Sequence, residues 1–111
     1  MPSAGIVWID RARVIDEARA IARQLRDRHP EVRRVVLIGS FARGDAGPRS
    51  DLDLVVFVDS TPVLPRDRPA HYAPASARPV DLVVYTHEEV ERMRAAPPPI
   101  LREALSRGVE L

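Results

Sequence analysis

Apolar residues recur along positions 10–29 at helical spacing. Val14, Ala18, Ile21 and Leu25 fall on one face, Ile15 and Ala22 widen the stripe, and arginines and acids occupy the other side. Asp10 is the predicted N-cap, and His29-Pro30 stops the helix because a residue before proline is pushed out of the α region. The pattern then changes. Arg34 to Ile38 is a β-branched run closed by Gly39 and predicts a buried strand; Ser40 to Arg43 leaves room for one helical turn before Gly44. Residues 45–49 are turn chemistry, and Asp51 through Val58 predicts a second strand. Asp59 to Ala77, with Pro62, Pro65, Pro69 and Pro74 and no apolar period, predicts a long loop. Pro79 to Tyr85 predicts a third strand, and Thr86-His87-Glu88-Glu89 is a capping box opening a helix to about Ala95. Pro97-Pro98-Pro99 breaks it, and Ile100 to Arg107 forms a last helix ended by Gly108 in the C′ role. This order predicts an α+β fold, a small mixed sheet flanked by helices, with residues 1–111 as a single domain.

Composition narrows the chemistry. The chain is 45% apolar and 30% charged with a net charge of +1, which fits a globular domain rather than a disordered one. The apolar runs are far too short for a membrane span and no leader pattern precedes them, so a cytoplasmic location is the default expectation. There is no cysteine, hence no disulfide, thiolate metal site or thiol nucleophile. All 17 basic residues are arginine, which removes a phosphate-binding lysine and Schiff-base chemistry. The near balance of charges argues against direct DNA binding through many phosphate contacts.

The informative stretch is Gly39-Ser40-Phe41-Ala42-Arg43-Gly44, then, after five residues, Ser50-Asp51-Leu52-Asp53-Leu54. Gly39, at the end of a buried strand, lets a phosphate approach the backbone because no Cβ intervenes. Ser40 at a helix start adds free N–H groups and a hydroxyl, both suited to an anion. Asp51 and Asp53 sit two apart on a predicted strand, which puts both carboxylates on one face with Cα atoms about 6.5–7 Å apart, while Leu52 and Leu54 point inward. Like charges that close call for a cation, and carboxylate oxygens are the ligands magnesium prefers. Asp81, between Val80 and Leu82, reaches the same face if its strand lies beside the second. Three carboxylates next to a phosphate cradle suit two metal ions about 3.5–4 Å apart that orient a triphosphate. Each element alone has a bland reading, an ordinary cap or a solvated strand face; the combination at fixed spacing is what carries weight.

Gly39-Ser40-x-Ala42-Arg43-Gly44 followed by Ser50-Asp51-x-Asp53-Leu54 resembles the signature of the DNA polymerase β-like nucleotidyltransferases, in particular the minimal nucleotidyltransferases (MNT). The resemblance implies a nucleotidyltransferase fold, ATP as donor, two Mg2+ ions and release of pyrophosphate. It matches Gly39 and Ser40 to the triphosphate-binding pair, Asp51 and Asp53 to the motif metal ligands, and Asp81 to the third carboxylate, which helps deprotonate the attacking hydroxyl. Many MNT proteins are similar to antitoxins paired with a HEPN ribonuclease toxin, so the implied reaction moves AMP onto a hydroxyl of that partner. An antitoxin acting by occlusion without catalysis, and transfer to an aminoglycoside-like small molecule, are the alternatives.

Other residues stay open between roles. Arg43 is placed to contact phosphate or to pair with Asp45 or Asp51, and Arg49 to reach the triphosphate or stand in solvent. Arg66-x4-His71 resembles a HEPN motif, but that motif needs a helix, which Pro69 and its neighbours are expected to prevent. His29 and His87 are expected at the surface, and no histidine pair has metal-site spacing. Trp8 and Ile9 suit a hydrophobic staple or a partner anchor. Ile100, Leu101, Leu105, Val109 and Leu111 are expected mostly in the core.

Overall fold

The structure, a computed structural model, describes residues 10–47 and 50–111. Trp8, Ile9 and Arg49 lie outside the described residues. Helix α1 (Arg11–Arg28) begins where the pattern places it, with the Asp10 carboxylate accepting from the Arg13 N–H at 3.2 Å, a cap that contributes about 1 kcal/mol. Its stripe Val14, Ala18, Ile21, Ala22 and Leu25 is buried. Strand β1 (Val32–Ile38) pairs antiparallel with β2 (Leu52–Val58), and β2 pairs in parallel with β3 (Val80–Thr86). Helix α2 (Gly39–Arg43) is the single turn after β1, closed by Gly44 in the left-handed region at φ 85°. Helix α3 (Arg68–His71) lies between β2 and β3, α4 (His87–Met93) carries the complete capping box, and α5 (Pro99–Arg107) follows.

A short strand the pattern does not announce, β4 (Val109–Glu110), joins the free side of β1 and gives the order β3-β2-β1-β4. Gly108 does end α5, but with extended backbone (φ −68°, ψ 156°) rather than in a left-handed turn. What demands glycine there is space: a Cβ would run into Val36 Cγ1 and come within 2.9 Å of the Ala104 carbonyl oxygen.

The sheet is covered on both faces, as the continuous apolar runs of β1 and β2 require. Val35, Leu37, Leu52, Leu54, Val56 and Val58 pack toward α1; Val36, Ile38, Val55 and Phe57 pack with Val90, Leu101 and Ala104 of α4 and α5. Alternation therefore turns Asp53 toward the α5 side. In the C-terminal apolar set, Leu101 is buried and Val109 and Leu111 are partly buried. Ile100 and Leu105 instead stand 42% and 45% exposed, because one face of a nine-residue helix suffices to cover that side of the sheet.

The segment after β2 is more ordered than its prolines suggest. A 3-10 turn (Pro65–Asp67) leads into α3, with Pro69 in the first helical turn, where its missing N–H costs nothing. The expectation that Pro69 prevents a helix is thus wrong in fact, although four residues of helix are all that form. Tyr72 ends α3 fully buried among the α1-side core, and Arg68 is buried with its guanidinium donating to the Val63 and Val84 carbonyls and to Glu89 Oε1 (2.7 Å).

Candidate active site

Asp53 and Asp81 are direct register partners in the parallel β2–β3 pair, so one pleat carries both carboxylates to the same face. The same register sets Leu52 against Val80 and Leu54 against Leu82, which leaves Leu52, Leu54 and Leu82 in the core and the acids outside it. Asp51 precedes β2 by one residue instead of beginning it, because pairing starts only at Leu52, whose N–H donates to the Pro79 carbonyl. The three carboxylates lie in one electrostatic neighbourhood: burial raises the Asp53 carboxyl above its ordinary range, and the charges of Asp81, then Asp51, then Glu103 raise it further, with Arg43 opposing.

Gly39 sits at φ 78°, in the left-handed region, where β1 turns into α2. Its N–H donates to Glu103 Oε2 at 2.8 Å, and the Arg43 guanidinium reaches the same oxygen at 3.4 Å while also pairing with Asp45. The corner proposed for phosphate thus holds a carboxylate from the protein itself. Glu103 lies 64 residues from Gly39, and nothing in its helical surroundings marks it in the sequence. Of the two roles open to Arg43, the structure contains the Asp45 pair, and Asp51 is not its partner.

These groups border a cleft of about 870 Å³. Gly39, Ser40, Arg43, Asp53, Asp81 and Glu103 form one side, and Pro69, Ala73, Pro74 and Arg78 of the segment between β2 and β3 form another. Asp51 is not among the lining residues, although its charge acts on the Asp53 carboxyl. Arg78, a second cleft cation that the motif reading missed, lies over the Phe41 ring at 5.3 Å and is bonded to Glu17. Phe41, the unspecified position of the motif, is buried beneath Arg78. No histidine pair has metal-site spacing along the sequence, yet the His29 and His71 rings lie 5.4 Å from each other in the structure; of the two histidines expected at the surface, His29 is partly buried and His87 is exposed on α4.

Residues 18–110 match the nucleotidyltransferase domain family, and the chain belongs to it. No curated protein matches. Among solved structures, a protein from Sulfolobus solfataricus designated a nucleotidyltransferase is similar over 97% of this chain and 90% of its own, at 20% identity and TM-score 0.63. A toxin–antitoxin complex with AMP-PNP matches over 92% and 72%, at 21% identity and TM-score 0.48. A mutant MntA–HpeT toxin–antitoxin complex matches over the same shares at 19% identity and TM-score 0.46. The first of these likenesses supports the fold. Among the described residues no helix is long and apolar enough to cross a membrane.

Proposed function

We propose that this protein transfers AMP from ATP to a hydroxyl of a partner protein, with magnesium as its metal. The observation that carries the reading is the lateral pairing of Asp53 with Asp81, together with the charge of Asp51 on the same carboxyl, beside the Gly39 N–H. By donor type the set suits a hard divalent cation: all three side chains offer carboxylate oxygen, and their mutual repulsion is what a bound cation relieves, although their ligand atoms do not all lie within 4.8 Å of one another and would have to draw together around it. Asp51, Asp53 and Asp81 would hold two Mg2+ ions, which supply charge neutralisation for the triphosphate and the departing pyrophosphate.

The chain's own residues have separate tasks. The Gly39 N–H, the Ser40 backbone and hydroxyl, and the Arg43 guanidinium hold phosphate oxygens, and for the N–H and Arg43 this means exchanging Glu103 for the nucleotide. The acceptor oxygen attacks the α-phosphorus, the bond from that phosphorus to the pyrophosphate oxygen breaks, and the acceptor's proton passes to the Asp81 carboxylate and on to water. Asp81 is exposed at the cleft, as a base meeting an incoming hydroxyl must be. Positioning and preorganised charge supply most of such a rate enhancement.

The partner follows from the motif's resemblance to MNT antitoxins, which points to a HEPN-type toxin. The test is incubation with ATP labelled on its α-phosphate, magnesium and the product of the neighbouring gene, followed by location of the label. Label on the partner's hydroxyl is expected from the wild type and not from Asp51→Asn or Asp53→Asn; transfer retained by either variant overturns the site. If these variants still neutralise the toxin, occlusion is the mode of action.

A further inference from the structure

A second group of chemistry-bearing side chains lies at the other end of the sheet. His29 ends α1, Glu31 leads into β1 and His71 ends α3, and one ligand atom from each lies within 4.8 Å of the others, the one group of three or more His, Cys, Asp or Glu residues so arranged among the described residues. The antiparallel register sets Val32 against Val58 at this end and Ile38 against Asp53 at the other, so the two places are roughly 20 Å apart along the strands.

We propose that His29, Glu31 and His71 bind a divalent transition-metal ion of zinc's class. Two imidazoles and one carboxylate are borderline-soft and hard donors in the combination zinc accepts, whereas magnesium selects oxygen alone. Three protein ligands leave a fourth position for water. The residues around them orient the set. The Tyr72 hydroxyl donates to Glu31 Oε2 at 2.6 Å, and since a carboxylate accepts at both oxygens this bond directs Glu31 without exhausting it. The His29 ring packs against the Tyr72 ring with centroids 4.6 Å apart, and His71 meets the same ring edge-on at 4.7 Å. Tyr72 is fully buried, so the platform is rigid. None of the three ligands carries an arginine partner: among the ion pairs of the described residues, none involves His29, Glu31 or His71. A bound ion would join the end of α1 to α3, whose Pro69, with Ala73 and Pro74 just beyond the helix, walls the cleft. The inference does not depend on the transfer reaction.

Zinc titrated into the full chain, with millimolar magnesium present and followed by calorimetry and by the histidine ring resonances in NMR, tests it. One zinc per chain is expected, with a dissociation constant in the micromolar range or tighter. His29 and His71 should shift together while His87, the third histidine of the chain, stays still. His71→Ala, at an exposed position, should weaken zinc at least about tenfold, and Asp53→Asn should leave it unchanged. The proposal is overturned if no saturable binding occurs below a millimolar, if His87 moves with the others, if affinity survives His71→Ala, or if it is lost in Asp53→Asn.

Discussion

Asp53 occupies the space that a side chain on Gly39 would need. A Cβ there would run into Asp53 Oδ2 and lie 3.2 Å from its Cγ and 3.3 Å from its Cβ, on a backbone already at φ 78°. The glycine and the aspartate of the motif are therefore one steric unit across the β1–β2 pair, in addition to any closeness to phosphate that the glycine allows.

Gly39→Ala should destabilise the fold by more than about 1 kcal/mol, since strain at positive φ and displacement of the Asp53 carboxylate add. Chemical denaturation of the wild type and the variant measures it. A variant as stable as the wild type would mean that the corner relaxes freely and that its rigidity plays no part in the site.

Asp53→Asn separates electrostatics from packing. The folded-state pKa of Asp53 lies above the ordinary 3.8, through burial first and then the charges of Asp81, Asp51 and Glu103. A group raised in this way is neutral in both states well below the unfolded value and weakens folding once pH rises through its folded pKa. The variant should thus melt higher than the wild type at pH 7 in magnesium-free buffer, with the gain shrinking as pH falls toward 4. Magnesium should raise the wild-type melting temperature and not the variant's. Transfer should drop by about 10²–10³-fold or more. A variant that melts lower at pH 7 contradicts this account.

Glu103→Ala should tighten nucleotide binding by about 5–10-fold. The carboxylate holds the Gly39 N–H and the Arg43 guanidinium in the absence of phosphate, and a charge-assisted bond of this kind is worth about 1.5–3 kcal/mol before solvent competes. Fluorescence or calorimetric titration with a non-hydrolysable ATP analogue reads the change. Weaker binding would assign Glu103 to shaping the corner instead of occupying it.

Arg68→Ala should cost about 3–5 kcal/mol, because it leaves Glu89 half-buried without its cation and orphans the Val63 and Val84 carbonyls. Glu89 supplies the pH signature. Burial raises its carboxyl, but the Arg68 and Thr86 hydrogen bonds outweigh burial and hold it below the ordinary 4.5. Its contribution is present above that unfolded value and is lost as pH falls through the lower folded one. The stability difference between wild type and Glu89→Gln, measured by urea denaturation, should therefore be full at pH 7 and decline in acid; a difference that grows in acid would reverse the assignment.

The elements bounded by local chemistry were legible in the residues. Asp10 caps α1, Thr86 and Glu89 form their box, and Gly39 and Gly44 bracket one helical turn. The inward direction of Leu52 and Leu54 follows from strand alternation alone. Three features were not legible. The two residues of β4 carry no period, and Pro69 reads as a breaker until it is known to occupy a first helical turn. Tyr72 reads as part of a polar loop although it fills the core.

Sequence determined which carboxylates could share a face, since a period of two is a property of one strand. Whether Asp81 joins Asp53 depends on the parallel register of strands separated by more than twenty residues, and that register is decided by which apolar face meets α1. The same holds for Glu103 at the Gly39 corner and for His29 with His71, 64 and 42 residues apart. Local periodicity records the direction of a side chain, whereas meetings between distant segments are set by the packing of whole elements, which no short window of residues contains.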